Sequence, residues 1–405
     1  MTARARARAW AVAVVFVANG LGGPSFLARL PERQTDLGLS DAGLGVVLVG
    51  MAGGALVASP LAGRAVSRVG SRPVVLAAAL ALGASLWTAG AAPTPALLFV
   101  ALAVVGSADA TMDIAMNANG AAYERRAARS VMHRLHGAWS LGALAGAGLA
   151  ALAAGVGVAL VWHLAAVGLV IAAATVVSRT GLVVGDAHAP GIALAASTAD
   201  GRGERRAPGA GRWRGALVVL GAATVGGALV EGAPTDWSAI RLERMGSGPG
   251  VAALGVAAFM AGMLAGRLVG DRLTDRFGGP SVLRGGMILV ASGLLAGVLV
   301  EQPAVFVLGL VLAGAGASGF FPLAFSGAAN TPGVAPGAGA ATVSLAARLG
   351  FLVEPLVVGA VAEMVGLRWA FVLVAAVAVA LASAAGRIVP HAAHPDPAPV
   401  AGVRA

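Results

Sequence analysis

Apolar residues run along this chain in blocks of about twenty, the length that crosses a bilayer as a helix. Twelve blocks can be marked, near residues 10–30, 42–62, 74–92, 96–120, 132–155, 158–178, 215–236, 250–270, 281–300, 303–327, 338–361 and 367–387. Polar residues gather between the blocks instead of alternating within them, so the pattern of a membrane β-barrel does not fit. The expectation is an all-α membrane protein with 12 transmembrane helices. The first block follows an arginine-rich start, as a signal peptide would. It is long, holds Asn19 and Pro24 and lacks a clean cleavage site, so it is read as a retained span. One long polar stretch separates six blocks from six. The chain is thus divided into an N-terminal six-helix bundle at 1–178, a cytoplasmic linker at 179–214, a C-terminal six-helix bundle at 215–389 and a disordered C-terminal tail at 390–405.

Composition supports the membrane reading. The 405 residues are 58% hydrophobic and 11% charged, whereas soluble domains average about 45–50% apolar and about 25% charged residues. Disorder needs the opposite balance. Cysteine is absent, which removes disulfides, zinc–cysteine sites and iron–sulfur clusters; no cofactor is expected. Many of the 60 glycines, such as Gly50, Gly53, Gly54, Gly142, Gly146 and Gly148, lie inside the blocks. Small residues there let helix backbones approach closely.

The net charge of +10 comes from 28 basic residues, all arginine. Nucleic-acid binding would need them on a soluble basic face. Sorted by loop with the N-terminus inside, 22 fall on the inside and five (Arg29, Arg33, Arg241, Arg244 and Arg368) outside, while Arg348 lies within a block. That is the positive-inside pattern, so the charge reports topology and no nucleic-acid partner is expected. Both termini are placed in the cytoplasm and the protein in the inner membrane. Trp10, Trp213, Trp237 and Trp369 fall at block ends, as an aromatic belt would.

The two halves repeat. Gly22-Gly23-Pro24-Ser25 returns as Gly232-Ala233-Pro234-Thr235, and Ala42-Gly43-Leu44-Gly45-Val46 as Ala252-Ala253-Leu254-Gly255-Val256. Such repeats are typical of secondary transporters, with the substrate site between halves near mid-membrane. After the second block of each half stand Gly63-Arg64-Ala65-Val66-Ser67-Arg68-Val69-Gly70-Ser71-Arg72 and Asp271-Arg272-Leu273-Thr274-Asp275-Arg276-Phe277-Gly278. They resemble the Gly-x-x-x-Asp-Arg-x-Gly-x-Arg loop of the major facilitator superfamily. The resemblance, which extends over essentially the whole chain, implies cytoplasmic gating loops at Gly63, Arg64, Arg68 and Gly70 and at Asp271, Asp275, Arg276 and Gly278. In them glycine permits a tight turn and an acid–arginine pair latches neighbouring helix ends. Ser67 stands where the family usually has aspartate, so the first loop lacks the acid of its latch. Asp113-Ile114-Ala115-Met116-Asn117 looks like the acid-x-x-x-Asn element of fucose–proton symporter-like permeases. Met112–Ala118, His136–Gly142, Glu231-Gly232 and Asp236-Trp237-Ser238 resemble a group of bacterial inner-membrane permeases. The resemblance implies a transporter and names no substrate.

Charges inside a membrane block are costly, hence functional candidates. Asp109, Asp113 and Asn117 follow at i, i+4 and i+8, on one face of a helix. That face is expected to line a cavity or the protein interior. Two like charges one turn apart disfavour joint ionisation, and a carboxyl that keeps a proton at neutral pH suits proton coupling; a structural polar cluster is the alternative. Glu231 sits beside the Gly-Ala-Pro break, suited to gating, to substrate contact or to satisfying freed backbone groups. Asn19 is open to substrate hydrogen bonding or to a structural role. Asp236 and Trp237 are read as interfacial. Arg348 lies near mid-depth, set to pair with Asp109 or Asp113, to bind an anionic substrate or to snorkel. Glu354 points about 120° away from it, and because the related permeases are mostly uncharged at both positions, the resemblance gives neither a role. His133 and His136 are read as interface histidines before a proton relay. Phe320, Phe321 and Phe325 either pack on neighbouring helices or meet a substrate ring.

The leading expectation is a monomeric secondary active transporter in a lipid bilayer, working by alternating access on a small-molecule substrate. Proton coupling and a sugar-like solute are expected. Efflux of amphipathic or cationic compounds is the runner-up, and a non-transporting membrane solute sensor is an alternative of another class. With no lysine there is no phosphate-binding loop of the Gly-x-x-x-x-Gly-Lys type, and no nucleophile–base set or metal-ligand set suggests an enzyme.

Overall fold

The computed structural model describes residues 3–127, 131–187, 212–331 and 336–389. Residues 188–211 of the expected linker and the expected tail at 390–405 lie outside the described residues. Among the described residues every regular element is a helix: α1 (Ala3–Leu27), α2 (Leu30–Asp36), α3 (Asp41–Val69), α4 (Ser71–Ala91), α5 (Pro95–Ala127), α6 (Met132–Gly155), α7 (Leu160–Ser178), α8 (Arg212–Arg244), α9 (Pro249–Phe277), α10 (Gly279–Val300), α11 (Pro303–Ala317), α12 (Phe320–Ala329), α13 (Pro336–Val365) and α14 (Leu367–Ile388). Twelve stretches are long and apolar enough to cross a membrane, one in each expected block. The tenth is α11 plus α12, interrupted by a turn at Ser318 and Gly319. The short α2 was not anticipated.

The same packing scheme appears twice. In the first half α1 lies on α6, α3 on α5, and α4 on α5 and α7; in the second α8 lies on α13, α9 on α11, and α10 on α11 and α14. The halves meet along α3–α13 and α6–α9. Lipid tails give little hydrophobic drive between helices, so close backbone approach carries much of the association. The α3–α5 crossing shows how tight this is. A Cβ on Gly54 would collide with the carbonyl oxygen of Ala103, and one on Gly106 with that of Met51.

Two expected loop motifs are corrected. Gly63, Arg64 and Arg68 belong to α3, and Asp271, Asp275 and Arg276 to α9, because apolar residues keep the helical period through Val69 and Phe277. The turns are made by Gly70 at φ +85° and Gly278 at φ +79°, which L side chains adopt only with strain. Gly63 makes no turn. The acid latch is also absent: Arg276 lies 5.3 Å from the ring of Phe277, and no ion pair involves Asp275 among the described residues. At the first turn Asp186, arriving after α7, fills the structural need. It accepts hydrogen bonds from the Ser71 backbone N–H and hydroxyl at the start of α4, a position favourable to a negative charge. Asn119 of α5 donates to Ser71 Oγ at 2.7 Å and to the Val183 carbonyl at 3.1 Å. The segment after α7 is thereby pinned to α4 and α5.

These contacts separate the glycines. Gly106→Leu should destabilise the protein by about 3 kcal/mol, since the colliding atom is backbone. Gly63→Ala should be neutral or stabilising by up to about 1 kcal/mol, because open space surrounds its would-be Cβ. Thermal unfolding in detergent checks both.

Candidate functional site

The polar face of α5 meets three other helices. Asn19 of α1 donates from Nδ2 to Asp109 Oδ1 at 2.9 Å, and the Trp139 indole of α6 donates to Asn19 Oδ1 at 2.9 Å. Asn19 is buried, Asp109 half-buried. One turn on, Asn117 donates to Asp113 Oδ1 at 2.9 Å, as the i, i+4 spacing allows. Asp113 is exposed. It lies close enough to His136 of α6 and Arg348 of α13 for their charges to act on it, so its exposure is to the space between the two halves. The sequence had brought Asp109, Asp113, Asn117 and Asn19 into view, and the fold gathers all four.

Arg348 does not form the ion pair favoured above. Its Nη1 donates to Ser59 Oγ of α3, where α3 and α13 cross. No ion pair within 4 Å joins it to Asp109 or Asp113 among the described residues. One guanidinium nitrogen is thus spent on holding the halves together, and the charge acts on Asp113 through space.

Arg267 was counted with the topology arginines, yet α9 carries it into the same space. Its Nη1 donates to Ser140 Oγ at 2.7 Å, its guanidinium carbon stands 5.5 Å from the Trp139 ring centroid, and its charge reaches Glu231. Nothing in its spacing marked it, because an arginine within a turn of the end of an apolar block (250–270) reads as a topology residue, whereas α9 runs on to Phe277. Glu231 of α8 is half-buried one turn before Pro234, which supplies no N–H although the helix runs on through it. The Thr235 hydroxyl donates to the Glu231 carbonyl at 2.8 Å.

The aromatic candidates divide. Phe320 is 1% exposed and stands edge-on to Phe321 at 5.3 Å; a Cβ on Gly227 would strike its ring, so it is core between α12 and α8. Phe321 stacks on Phe351 of α13 at 5.8 Å. Phe325 is 39% exposed. His136 bonds the Met132 carbonyl at 3.0 Å through Nδ1 and meets the Phe16 ring edge-on; the His133 side chain lies outside the described residues. The interfacial reading of Trp237 is corrected: it is fully buried, with α13 packed against its ring at Gly359. Asp236 is half-buried against Glu354 of α13. Glu354 is the site neighbour that sequence reasoning set aside.

One end of the molecule is closed. The Arg244 guanidinium of α8 grips both carboxylate oxygens of Asp41 on α3, and Glu363 of α13 accepts from the Ala42 backbone N–H at 3.2 Å. A Cβ on Gly45 would collide with the Pro355 carbonyl, and one on Gly250 would lie 2.8 Å from the Gly155 Cα. At the opposite, arginine-rich end a Cβ on Gly63, Gly137 or Gly270 would meet nothing within 4 Å. The halves are thus held together at the end that carries Asp41 and Arg244, while Asp113 stays exposed between them.

Twelve helices in two similarly packed sets, with a polar site between them, define a membrane transporter fold. The comparisons agree. The family model of the Major Facilitator Superfamily matches residues 216–404. An MFS-type transporter of Yersinia pestis is 31% identical, with 92% of this chain and 93% of the relative aligned. Membrane protein MosC of Rhizobium meliloti is 30% identical over 92% of this chain and 88% of its own length. Among solved structures, the nucleoside transporter NupG superposes with a TM-score of 0.72 at 13% identity, covering 96% of this chain and 99% of that one. An inward-facing, unoccupied bacterial homologue of the lysosomal transporter Spinster gives 0.65 at 15%, covering 96% and 98%. The chain belongs to the Major Facilitator Superfamily and is a multi-pass membrane protein, a secondary transporter of small molecules.

The sealed end yields a prediction. Arg244→Ala leaves the buried Asp41 carboxylate without its cation and should weaken closure by about 1.5–3 kcal/mol. Because the chain has no cysteine of its own, a Gly155→Cys/Gly250→Cys pair reports closure by its disulfide yield, which should fall when Arg244→Ala is added.

Proposed function

We propose that this chain moves a small, hydroxyl-rich solute such as a sugar across the inner membrane by alternating access, coupled to protons. The reading places the arginine-rich end and both termini in the cytoplasm, since 22 of 28 arginines then lie inside. It takes the chain to act as a monomer, with 1–178 and 215–389 rocking about the linker. The single observation that carries it is the polar site between the halves. There, Asp113 and Asn117 are joined on α5, Asp113 is exposed, and the charge of Arg348 acts on it from the other half.

Each residue has a part in this reading. Asp113, exposed between the halves, exchanges the coupling proton, and Asp109 behind it is held by Asn19, which Trp139 positions in turn. A neutralised acid lets the site be re-oriented at lower cost than a charged one. Asn117, Glu231, Arg267 and Arg348 offer hydrogen bonds to hydroxyls, and the Trp139 face offers stacking to a sugar ring. Arg348 with Ser59 and Arg267 with Ser140 bridge the halves around the site. Their release accompanies opening of the sealed end.

A second reading, efflux of amphipathic compounds, is favoured by the Phe321–Phe351 stack and the exposed Phe325. Thermal stabilisation of the purified protein separates the two: sugars should stabilise it under the first reading and lipophilic cations under the second. For the coupling role, Asp113→Asn in proteoliposomes should cut pH-gradient-driven accumulation by about tenfold or more, equivalent to about 1.4 kcal/mol. Exchange of solute without a gradient should persist. Unchanged gradient-driven transport overturns Asp113 as the proton carrier.

A further inference from the structure

A second pair of acids lies away from the α5 face, on the sealed side. Glu354 of α13 is 1% exposed, and its carboxyl faces that of Asp236 on α8 within side-chain hydrogen-bonding reach. A Cβ on Gly232 would lie 3.0 Å from Glu354 Oε2, so glycine at that position is what lets the carboxylate approach α8. The Trp237 indole, fully buried, points its N–H to the same carboxyl. Yet Trp237 Nε1 and Glu354 Oε1 make no hydrogen bond of ordinary length, and neither does the buried Ser238 hydroxyl. Both helices carry an internal proline at this level, Pro234 in α8 and Pro355 in α13.

Among the described residues no cation answers these acids. On α8, Glu231 looks to Arg267, Arg241 to Glu301, and Arg244 to Asp41. On α3, Asp41 is already held by Arg244 and Gln34. On α13, Arg348 is bonded to Ser59, and Glu363 to the Ala42 N–H. On α14, Arg368 pairs with Glu301, and Arg387 lies exposed in the last turn. On α2, Arg29 and Arg33 pair with Glu32 and Asp36. Carboxylates only accept hydrogen bonds; two of them can bond each other only when one carries a proton. Two uncompensated buried charges would otherwise face each other at a cost no neighbour offsets.

We infer that Asp236 and Glu354 form a second proton-binding site, sharing one proton between them while the Asp41–Arg244 end is sealed. The site sits between two proline-containing helices directly beneath that seal: a Cβ on Gly359 would contact both the Asp41 carbonyl and the Trp237 ring. Separation of α3 from α8 and α13 on opening exposes the pair to the aqueous space on that side and frees the proton. The pair is thus the partner of Asp113, which is exposed between the halves. That pairing rests on the proton-coupled reading above, whereas proton binding by the pair does not.

Infrared difference spectroscopy of the purified full-length chain during pH titration tests the two parts separately. A protonated-carboxyl C=O band should be present in the wild type and in Asp113→Asn, and should be lost in both Glu354→Gln and Asp236→Asn. Labelling with 13C-glutamate should shift part of that band in the unmodified protein, a readout that needs no variant to fold. Retention of the whole band in the variants, or absence of a Glu-derived component from the wild type, overturns the inference. If the band behaves as expected while wild-type proteoliposomes move no protons, the site stands and the proton-coupled reading falls.

Discussion

A hydrocarbon slab offers no water to a polar group, so every polar side chain inside it must be answered by protein or face a wet cavity. Most of this architecture follows from where those answers are found. Asn19 is answered by Asp109 and Trp139, which ties α1 to α5 and α6. Arg348 and Arg267 are answered by serines of the opposite half. Hydroxyls are modest partners for a guanidinium compared with carboxylates. Such bonds hold the halves in register without making separation prohibitive, as a transporter that must open requires. The strong pairing, Arg244 with Asp41, is kept for the sealed end.

The same constraint explains the five arginines that break the topology pattern. Arg29 and Arg33 are buried, at 3% and 6% exposure. Arg29 holds Glu32 and the Val158 carbonyl, while Arg33 holds Asp36 and the Gly90 carbonyl. These carbonyls border α7 and α4, where helix ends leave acceptors unpaired. Arg241 and Arg368 share Glu301, and Arg244 takes Asp41. Four acids thus answer five arginines, which offsets most of their charge and lessens what they add to the bias that orients the chain. The arginines of the other end, such as Arg64, Arg68, Arg272 and Arg276, stand exposed. Local pairing, rather than position alone, separates the two populations.

What the sequence could tell followed its periodicities. Twelve apolar blocks were legible because span length is fixed by the bilayer, and the α5 polar face because a spacing of four places residues one above another. Contacts between helices distant in the chain were not. Arg267 looks like any arginine near a helix end until Ser140 and Trp139 are seen across from it. Glu354 was set aside because its six-residue separation from Arg348 makes a poor pair, and that geometry holds; its partner came from α8, on no shared period. The gating motifs failed at finer scale. The motif spacing marks the turn correctly at Gly70 and Gly278, but the helical period runs on through the residues before it.

Asymmetry between the halves is the last consequence. An exact repeat would make both ends open or close alike, yet the repeated packing scheme carries different chemistry. The Asp109–Asp113–Asn117 face of α5 has its counterpart on α11 and α12, where phenylalanines and glycines stand in place of acids. The buried acids of the second half lie instead on α8 and α13, on the sealed side. Titratable groups are therefore offset along the axis between the helix ends, one set exposed between the halves and the other dry beneath the Asp41–Arg244 pair. A ligand drives a two-state protein only through a difference in its affinity for the two states. On the proton-coupled reading proposed above, acids offset in this way are what would supply that difference for a proton.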